Sequence, residues 1–445
     1  MATPMALALA DSRSVLERIT PFRVSGQVVR VAGLTIEAAG LAAQVGEICH
    51  IYAAEDGRRI SAEVVGFNAD RLFLMPFGDM QGVAAGCQVH ASGRPFTVAV
   101  GRSLLGRVVD GLGNPIDGHG PLADAAVASL RRLPPSPLAR RPIAEPLPTG
   151  IRAIDGLLTC GRGQRMGIFA GSGVGKSTLL GMIARGVEAD VNVIALIGER
   201  GREVQEFIHQ ILGEQGLARS VVVVSTSDQP ALLRIKAAWV ATAIAEHFRD
   251  LGLDVNLMMD SVTRFAMAQR EIGLAVGEPP ALKGYPPSVF ALLPQLLERA
   301  GTSDRGTITG FYTILVEGDD TNEPISDTVR SILDGHIVLS RDYAAENHYP
   351  AIDILQSVSR VMPAIVSPQH RRAAARLREI LAVYRANRDL INIGAYQPGS
   401  NPQIDRALGL LPEINGFLRQ GELEDSPWPA TVQRLEALFG EGAQP

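Results

Sequence analysis

The stretch between residues 170 and 178 combines glycines with a lysine, serines and a threonine in a pattern that could hold phosphate. The stretch from Ala170 to Thr178 is AGSGVGKST. Glycine lets the backbone curl so that its N–H groups surround phosphate oxygens. A helix beginning at the lysine adds the partial positive charge of its N-terminus. Lys176 can then reach the β- and γ-phosphates, and the Ser177 hydroxyl can bind Mg²⁺.

This spacing, between an apolar strand over residues 166–170 and an apolar helical pattern that follows, predicts a P-loop. The first glycine of the strict motif is replaced by Ala170, a difference of one methyl group. An ordinary glycine-rich turn is the alternative, but Gly-Lys-Ser behind a strand favours a nucleoside triphosphate site. The predicted nucleotide-binding residues of the loop are Gly171, Ser172, Gly173, Val174, Gly175, Lys176, Ser177 and Thr178.

Two carboxylates follow buried strands further along the chain. Glu199 comes directly after the apolar run 193–198, where it could polarise the water that attacks the γ-phosphate. A surface glutamate at a helix N-terminus is the alternative. Asp260 ends the run Leu-Met-Met-Asp, which has the Walker B form and predicts a role in holding Mg²⁺. A helix-capping aspartate is the alternative there, and both roles are compatible.

The elements around these residues alternate between β and α patterns. Strands are predicted over 166–170, 193–198, 221–225, 257–260, 307–316 and 336–340, with helices over 176–186, 201–212, 230–250 and 288–300. This alternation predicts a mostly parallel sheet covered on both faces, with ligands bound beyond the carboxyl ends of its strands. The fold class is therefore α/β.

Different patterns flank this region. Residues 22–100 contain short β-rich runs between glycine turns and predict a small all-β barrel or sandwich, of which we favour the barrel. Residues 101–150 are rich in glycine and then proline and predict an extended connector packed on the next domain, with a flexible linker as the alternative. We place the nucleotide-binding domain at 101–370, including this connector, and a helical domain at 371–445. Residues 1–21 form an N-terminal segment in which 5–19 could be a short helix, with a frayed terminus as the alternative.

The composition excludes several classes of protein. The 445 residues carry a net charge of −5, which argues against nucleic acid as the main partner. The cysteines at 49, 87 and 160 form no CxxC motif, so the sequence predicts neither a disulfide framework nor a metal cluster and fits a reducing cytoplasm. We find no convincing signal peptide and no apolar run long enough to span a membrane, so any membrane association is expected to be peripheral.

Six segments together resemble a known family, the type III protein-export ATPases, which are relatives of the subunits of rotary ATP synthases. They are GSGVGKST at 171–178, IGERGRE at 197–203, MMDSVTRFAMAQRE at 258–271, GYPPSVFALLPQLLERAG at 284–301, LVEGDDTNEPISDTVRSILDGHIVLSR at 315–341 and HYPAIDILQSVSRVMP at 348–363. The resemblance covers residues 22 to 415 and is greater to the flagellum-specific branch than to the virulence-secretion branch. It implies a RecA-like core, ATP as substrate and Mg²⁺ as cofactor.

The resemblance also implies a homohexameric ring with nucleotide at each subunit interface. It assigns Lys176 and Ser177 to phosphate and Mg²⁺, and Asp260 to the Walker B position. Glu199 becomes the general base, and Arg200 is a second basic group near the γ-phosphate. Arg360 would act across the interface as an arginine finger, whereas a lone arginine is otherwise usually a surface group. Tyr349 would stack near the adenine, with a core aromatic as the alternative.

The family implies several partners and a location. The partners are a regulatory protein that binds the N-terminal segment, a central stalk protein, and complexes of chaperones with export substrates. The location is the cytoplasmic face of the export apparatus. The loop at 284–287 would face the stalk, with a plain connecting turn as the alternative. Three other functions stay open: a hexameric RNA or DNA translocase, a noncatalytic ring subunit, and a subunit of an ion-driven ATP synthase. The first would need a basic, aromatic barrel, and the second would lack Glu199.

Overall fold

The computed structural model describes residues 25–54, 57–123, 125–316 and 323–439. The described chain divides into two compact units. The first ends at Phe96 and also includes residues 275–277, and the second contains the rest. The helix predicted over residues 5–19 lies outside the described residues.

The first unit is a closed six-stranded antiparallel barrel, as predicted. Its strands are β1 (Ser25–Ala32), β2 (Thr35–Ala39), β3 (Glu47–Tyr52), β4 (Arg59–Asn68), β5 (Arg71–Pro76) and β6 (Gln88–Pro95). They are arranged in the order β1-β2-β5-β4-β3-β6. Ile36, Ile51 and Leu74 are fully buried inside it, because alternate side chains of each strand point inward.

The second unit is built on one sheet that is mostly parallel. Along the sheet the strands are β17 (Val358–Ser359), β16 (Gly335–Val338), β10 (Arg165–Ala170), β15 (Thr307–Leu315), β13 (Asp254–Asp260), β11 (Val191–Ile197), β12 (Ser220–Ser225) and β8 (Val108–Asp110). Within this sheet, among its described strands, only β17 and the short β14 (Gly301–Thr302) pair antiparallel to their neighbours. Every residue of β11 and β12 is buried, as expected for strands covered on both faces.

A separate two-stranded sheet pairs β7 (Thr97–Val100) with β9 (Ala126–Ser129). The last residues of the predicted barrel region therefore pair with the connector instead of with the barrel. Part of the remaining connector packs on the sheet domain, whereas Leu133 and Leu138 are 91% and 98% exposed. Leu147 is buried, and Arg140 Nη1 donates a hydrogen bond of 2.8 Å to the carbonyl oxygen of Ala300.

Helices cover the sheet between its strands. They are α1 (Arg152–Leu157), α2 (Lys176–Gly186), α3 (Gly201–Glu206), α4 (Gly213–Ala218), α5 (Ala231–Asp250), α6 (Val262–Ala275), α7 (Pro287–Leu297), α8 (Pro324–Ile332), α9 (Arg341–Ala345), α10 (Met362–Ile365), α11 (Pro368–Asn392), α12 (Pro402–Leu418) and α13 (Trp428–Ala437). Short 3₁₀ turns occur at Arg102–Leu104, Pro137–Ala139 and Leu282–Gly284.

One predicted helix has a different form. The pattern over 201–212 is α-helical only as far as Glu206, and Phe207–Leu212 is a π-helix that leads into α4. This segment packs against α2 at Gly181, where a Cβ atom would clash with the side chain of Ile211. Arg185 of α2 also donates a hydrogen bond to the Ile211 carbonyl oxygen. A π-turn accommodates one extra residue in the helix, which periodicity alone does not reveal.

The last three helices pack on the sheet domain. Leu377 of α11 and Phe417 of α12 are fully buried and belong to the same apolar cluster as the P-loop strand. Phe417 packs so closely on Gly156 that a Cβ atom there would lie 2.9 Å from the ring. The described part of the chain has no strand after Ser359, in agreement with the predicted helical C-terminal region.

Candidate active site

The P-loop joins the end of β10 to the start of α2 at the carboxyl edge of the sheet. Gly173 has φ +78° and Gly175 has φ +88°, a left-handed backbone conformation that other residues rarely adopt. The loop lines a cavity of about 770 Å³, which is large enough for a nucleoside triphosphate. The loop residues at its wall are Gly171, Ser172, Gly173, Gly175, Lys176, Ser177 and Thr178. Val174 differs, because its side chain is buried in the apolar core.

Three charged side chains meet beneath this loop. Lys176 Nζ donates to Asp260 Oδ1 at 2.6 Å and to Glu199 Oε1 at 3.2 Å. The Thr313 hydroxyl donates to the same Asp260 oxygen at 2.7 Å and so fixes the carboxylate. Glu199 follows β11 and Asp260 ends β13, which are adjacent parallel strands. The structure thus brings together three residues that are far apart in the sequence.

Burial and charge change the acidity of this cluster. Burial raises the pKa of Glu199 to about 7; the Asp260 carboxylate adds to the rise, and the Lys176 ammonium opposes it. Burial alone would lower the pKa of Lys176, but the two carboxylates outweigh it and raise that pKa. Lys176 therefore stays charged, whereas Glu199 exchanges its proton near neutral pH. A carboxylate with such a pKa is suited to act as a general base.

Two charged residues at the start of the following helix border Glu199, namely Arg200, which precedes α3, and Glu203 within it. A hydrogen bond with the Glu199 side chain lowers the pKa of Glu203, one turn further along. Arg200 lines the cavity and forms a 3.6 Å ion pair with Glu203, while its side chain stays mostly exposed. Arg200 thus lies at the cavity wall, where a basic group near a phosphate was predicted. Glu203 lay inside the quoted IGERGRE segment but was not singled out from the sequence.

Further polar residues of the cavity wall were missed by the sequence reasoning. They are Ser227, Arg264 and Arg341. Arg264 packs over Gly198, where a Cβ atom would lie 3.0 Å from the arginine side chain. Its position four residues after Asp260, in the DSVTR segment, was the available signal. Arg341 follows β16, and only the order of the strands shows that this end lies beside the P-loop.

The site offers few oxygen ligands for a cation. Ser177 is exposed to the cavity, and Asp260 supplies one carboxylate, which bonds to Lys176, the residue before Ser177. The described residues contain no group of three or more histidine, cysteine, aspartate or glutamate side chains that could hold a metal. A hydroxyl and one carboxylate fit Mg²⁺, which takes most of its ligands from water and from substrate phosphates.

Tyr349 lies on the other side of the P-loop. A Cβ atom at Gly175 would be 3.3 Å from Cε1 of its ring, so the tyrosine packs directly against the loop. Its relative exposure is 41%, which rules out the alternative of a core aromatic. The neighbouring His348 is buried and stacks on Tyr343, and burial lowers its pKa to about 4. The residue before Tyr349 in the chain is thus a neutral, packed histidine.

Arg360 is placed apart from these groups. It follows β17, and its Nη1 donates to the carbonyl oxygen of Leu333 at 3.1 Å. The side chain is exposed, and Arg360 is not among the described residues that line the cavity of its own chain. The structure of one chain therefore brings together Lys176, Ser177, Glu199, Arg200 and Asp260, but not Arg360.

Known proteins show the same organisation. A model of the ATP synthase alpha/beta nucleotide-binding domain matches residues 150–359, and the beta-barrel domain of that family matches residues 28–93. The C-terminal domain of the type III secretion ATPase EscN matches residues 366–437. The flagellum-specific ATP synthase of Bacillus subtilis is 55% identical over 426 residues, which cover 96% of this chain and 97% of the relative. This chain belongs to the type III export ATPases.

Relatives of both branches and a solved structure agree with this membership. The type 3 secretion system ATPase of Xanthomonas euvesicatoria is 54% identical over 413 residues, covering 93% of each chain. The structure of assembled EscN from enteropathogenic E. coli is 48% identical, with a TM-score of 0.89 over 93% of this chain and all of that one. The predictions of an ATPase, of its family and of its fold class are therefore confirmed. None of the helices in the described residues of this export ATPase is long and apolar enough to cross a membrane.

Proposed function

We propose that this export ATPase hydrolyses ATP with Mg²⁺ to drive proteins through a type III export apparatus. The observation that carries the proposal is the contact of Lys176, in the P-loop, with both Glu199 and Asp260. A site that only held ATP as a structural ligand would need the lysine but not a carboxylate whose pKa is near 7. The presence of Glu199 thus favours a catalytic subunit over a noncatalytic one.

The geometry supports a role for each group. Backbone N–H groups of residues 171–178 would hold the phosphates, and Lys176 would leave its carboxylate partners to neutralise the β- and γ-phosphates. Ser177 and Asp260 would hold Mg²⁺, which supplies charge neutralisation at the β- and γ-phosphate oxygens. Glu199 would orient a water for in-line attack and take its proton. Arg200 would contribute positive charge near the γ-phosphate.

Arg360 would complete the site in a neighbouring copy of the chain. It is exposed and lies outside the cavity of its own chain, and the solved relative EscN forms an assembly. We infer a homohexameric ring in which each Arg360 reaches the triphosphate bound by the next subunit. An arginine supplied in trans stabilises charge on the transferred phosphoryl group and makes hydrolysis depend on assembly.

The proposed partners and location follow from the relatives. EscN has been solved in complex with its central stalk EscO, and this structure resembles it with a TM-score of 0.86. We therefore propose a stalk protein in the ring, together with an export regulator and complexes of chaperones with export substrates. The work would take place at the cytoplasmic face of the export apparatus. Relatives of both branches have similar sequence identity to this chain, so injectisome secretion is the alternative to flagellar export.

Secretion by deletion strains tests this function. We expect the chain to restore secretion to a bacterium that lacks its flagellar export ATPase, whereas Lys176→Ala, which removes the phosphate-binding ammonium, should not. The measurement is the amount of flagellar protein in the culture medium, with equal expression of the two variants as the control. If the chain restores secretion only to a strain that lacks its injectisome ATPase, injectisome secretion is favoured over flagellar export. Equal secretion by Lys176→Ala would contradict an ATP-driven role.

The acidity of Glu199 predicts the pH dependence of catalysis. The base must be ionised, so kcat/KM should rise with pH and level off above the pKa of about 7 that burial gives this carboxyl group. Steady-state rates between about pH 6 and pH 8 would show this, since kcat/KM reports groups of the free enzyme. A rate that stays level across this interval would show that Glu199 is not the base or is already ionised at the lower limit.

A further inference from the structure

Gln420 is a buried polar residue just after α12, with a relative exposure of 5%. Its side-chain Oε1 accepts a hydrogen bond from the backbone N–H of Arg152 at 2.8 Å. Its Nε2 donates to the carbonyl oxygens of Gly150 at 2.7 Å and Glu424 at 2.9 Å. The side chain thus ties the turn after α12 to the segment that begins the nucleotide-binding domain.

The backbone of the same residue reaches the P-loop side of the molecule. Its N–H donates to the carbonyl oxygen of Tyr349 at 2.9 Å. The Tyr349 ring in turn lies against Gly175 of the P-loop. One residue therefore links the start of the domain, the C-terminal helices and the exposed aromatic ring beside the phosphate-binding loop.

Two arginines hold the turn of residues 419–424 in place. Arg152 is 4% exposed, donates from Nε to the carbonyl oxygen of Phe417 at 2.8 Å and pairs with Glu424. Arg185, in the last turn of α2, donates to the carbonyl oxygen of Glu422 at 2.9 Å. The turn therefore contacts both the P-loop helix and the tyrosine, and Gln420 is the residue at its centre.

We propose that Gln420 is a positioning residue for the nucleoside base, acting through Tyr349. This rests on the proposed function, in which Tyr349 stacks on the base of ATP. The side-chain bonds to Arg152 and Gly150 fix the Gln420 backbone, and that backbone fixes the main chain that carries the aromatic ring. The groups proposed to act on the γ-phosphate are Lys176 and Ser177 in the first turn of α2, Glu199 after β11 and Asp260 at the end of β13. Within the described residues, the turn touches α2 only through Arg185, in the last turn of that helix, so it holds none of these groups directly.

Substitution of Gln420 should therefore weaken nucleotide binding and spare the chemical step. For Gln420→Ala and the volume-conserving Gln420→Met we expect KM for ATP to rise about tenfold, the effect of losing one well-placed hydrogen bond. The kcat of both variants should stay within about twofold of wild type. The Kd for a nonhydrolysable ATP analogue, measured by titration calorimetry, should rise by the same factor. Gln403→Ala, at an exposed glutamine of α12, is the matched control. The melting temperature shows whether each variant is folded.

A double-mutant cycle separates positioning from general loosening. In a Tyr349→Ala background, Gln420→Met should add little to the rise in KM, because both substitutions remove the same contact with the base. The full tenfold effect in that background, or a fall in kcat with KM unchanged, would overturn the proposal. Absence of hydrolysis by the wild-type protein would contradict the proposed function instead, and the calorimetric Kd would still test Gln420.

Discussion

Arg360→Ala is expected to abolish nearly all ATP turnover while leaving ATP binding intact. Removal of an arginine that stabilises the transferring phosphoryl group costs a factor of about 10³–10⁵ in rate. Binding should survive because Arg360 lies outside the cavity of the chain that holds the nucleotide. The measurement pairs the steady-state rate of phosphate release with the Kd for a nonhydrolysable ATP analogue.

Assembly must be controlled in this experiment. Arg372→Ala, at an exposed position of α11, removes a comparable charge away from the site and should turn over ATP normally. The size of each assembled variant, measured by light scattering, shows whether the ring has formed. Near-normal turnover by an assembled Arg360→Ala ring would remove the finger assignment.

Glu199→Gln is expected to have the second large effect. The amide has nearly the shape of the carboxyl group but cannot accept the proton of the attacking water, so kcat should fall by about 10²–10⁴-fold. Binding should be retained or strengthened, because Lys176 loses one of the two carboxylates that compete with phosphate. Single-turnover hydrolysis measures the loss of the chemical step directly.

The control for this substitution is another glutamate of the same region. Glu214→Gln lies at an exposed position of α4 and should leave the rate unchanged. The rise of kcat/KM with pH should also disappear from the residual activity of Glu199→Gln, since the group that titrates is gone. A Glu199→Gln enzyme that keeps more than about a tenth of wild-type kcat would contradict general-base catalysis by this residue.

Local signals explain why most of the site was predictable. The P-loop is one continuous stretch, so its spacing alone gives Lys176, Ser177 and their glycines. Glu199 and Asp260 each follow an apolar run, and adjacent parallel strands bring their carboxyl ends together. The alternation of strand and helix likewise gave the parallel sheet, and turns at short intervals gave the barrel.

Contacts between distant segments explain what was missed. Thr313 bonds to Asp260 because β15 neighbours β13, and a sequence shows apolar runs but not the order of strands in a sheet. The anchoring of Gln420 to Gly150 spans 270 residues. The pairing of β7 with β9 could not be predicted either. Both strands are short, and the residue pattern of a short strand does not show which other strand it pairs with.

Neither the sequence pattern nor the structure of a single chain shows which residues complete the site of a neighbouring subunit. Nothing in the run that ends at Arg360 distinguishes a surface arginine from one that serves another subunit. The structure is compatible with service to another subunit, because Arg360 is exposed and lies outside the nucleotide cavity of its own chain. In the mechanism that we propose, a complete catalytic site needs Glu199 of one subunit and Arg360 of its neighbour.

Mixing the two inactive variants tests this claim most directly. Glu199→Gln supplies an intact Arg360, and Arg360→Ala supplies an intact Glu199, so some interfaces of a mixed ring would contain both groups. For random assembly at equal amounts, about one quarter of the sites would be complete, and the mixture should recover about that share of wild-type turnover. If mixed rings form, as shown by co-purification of two different tags, and stay as inactive as the separate variants, the site is not shared between subunits.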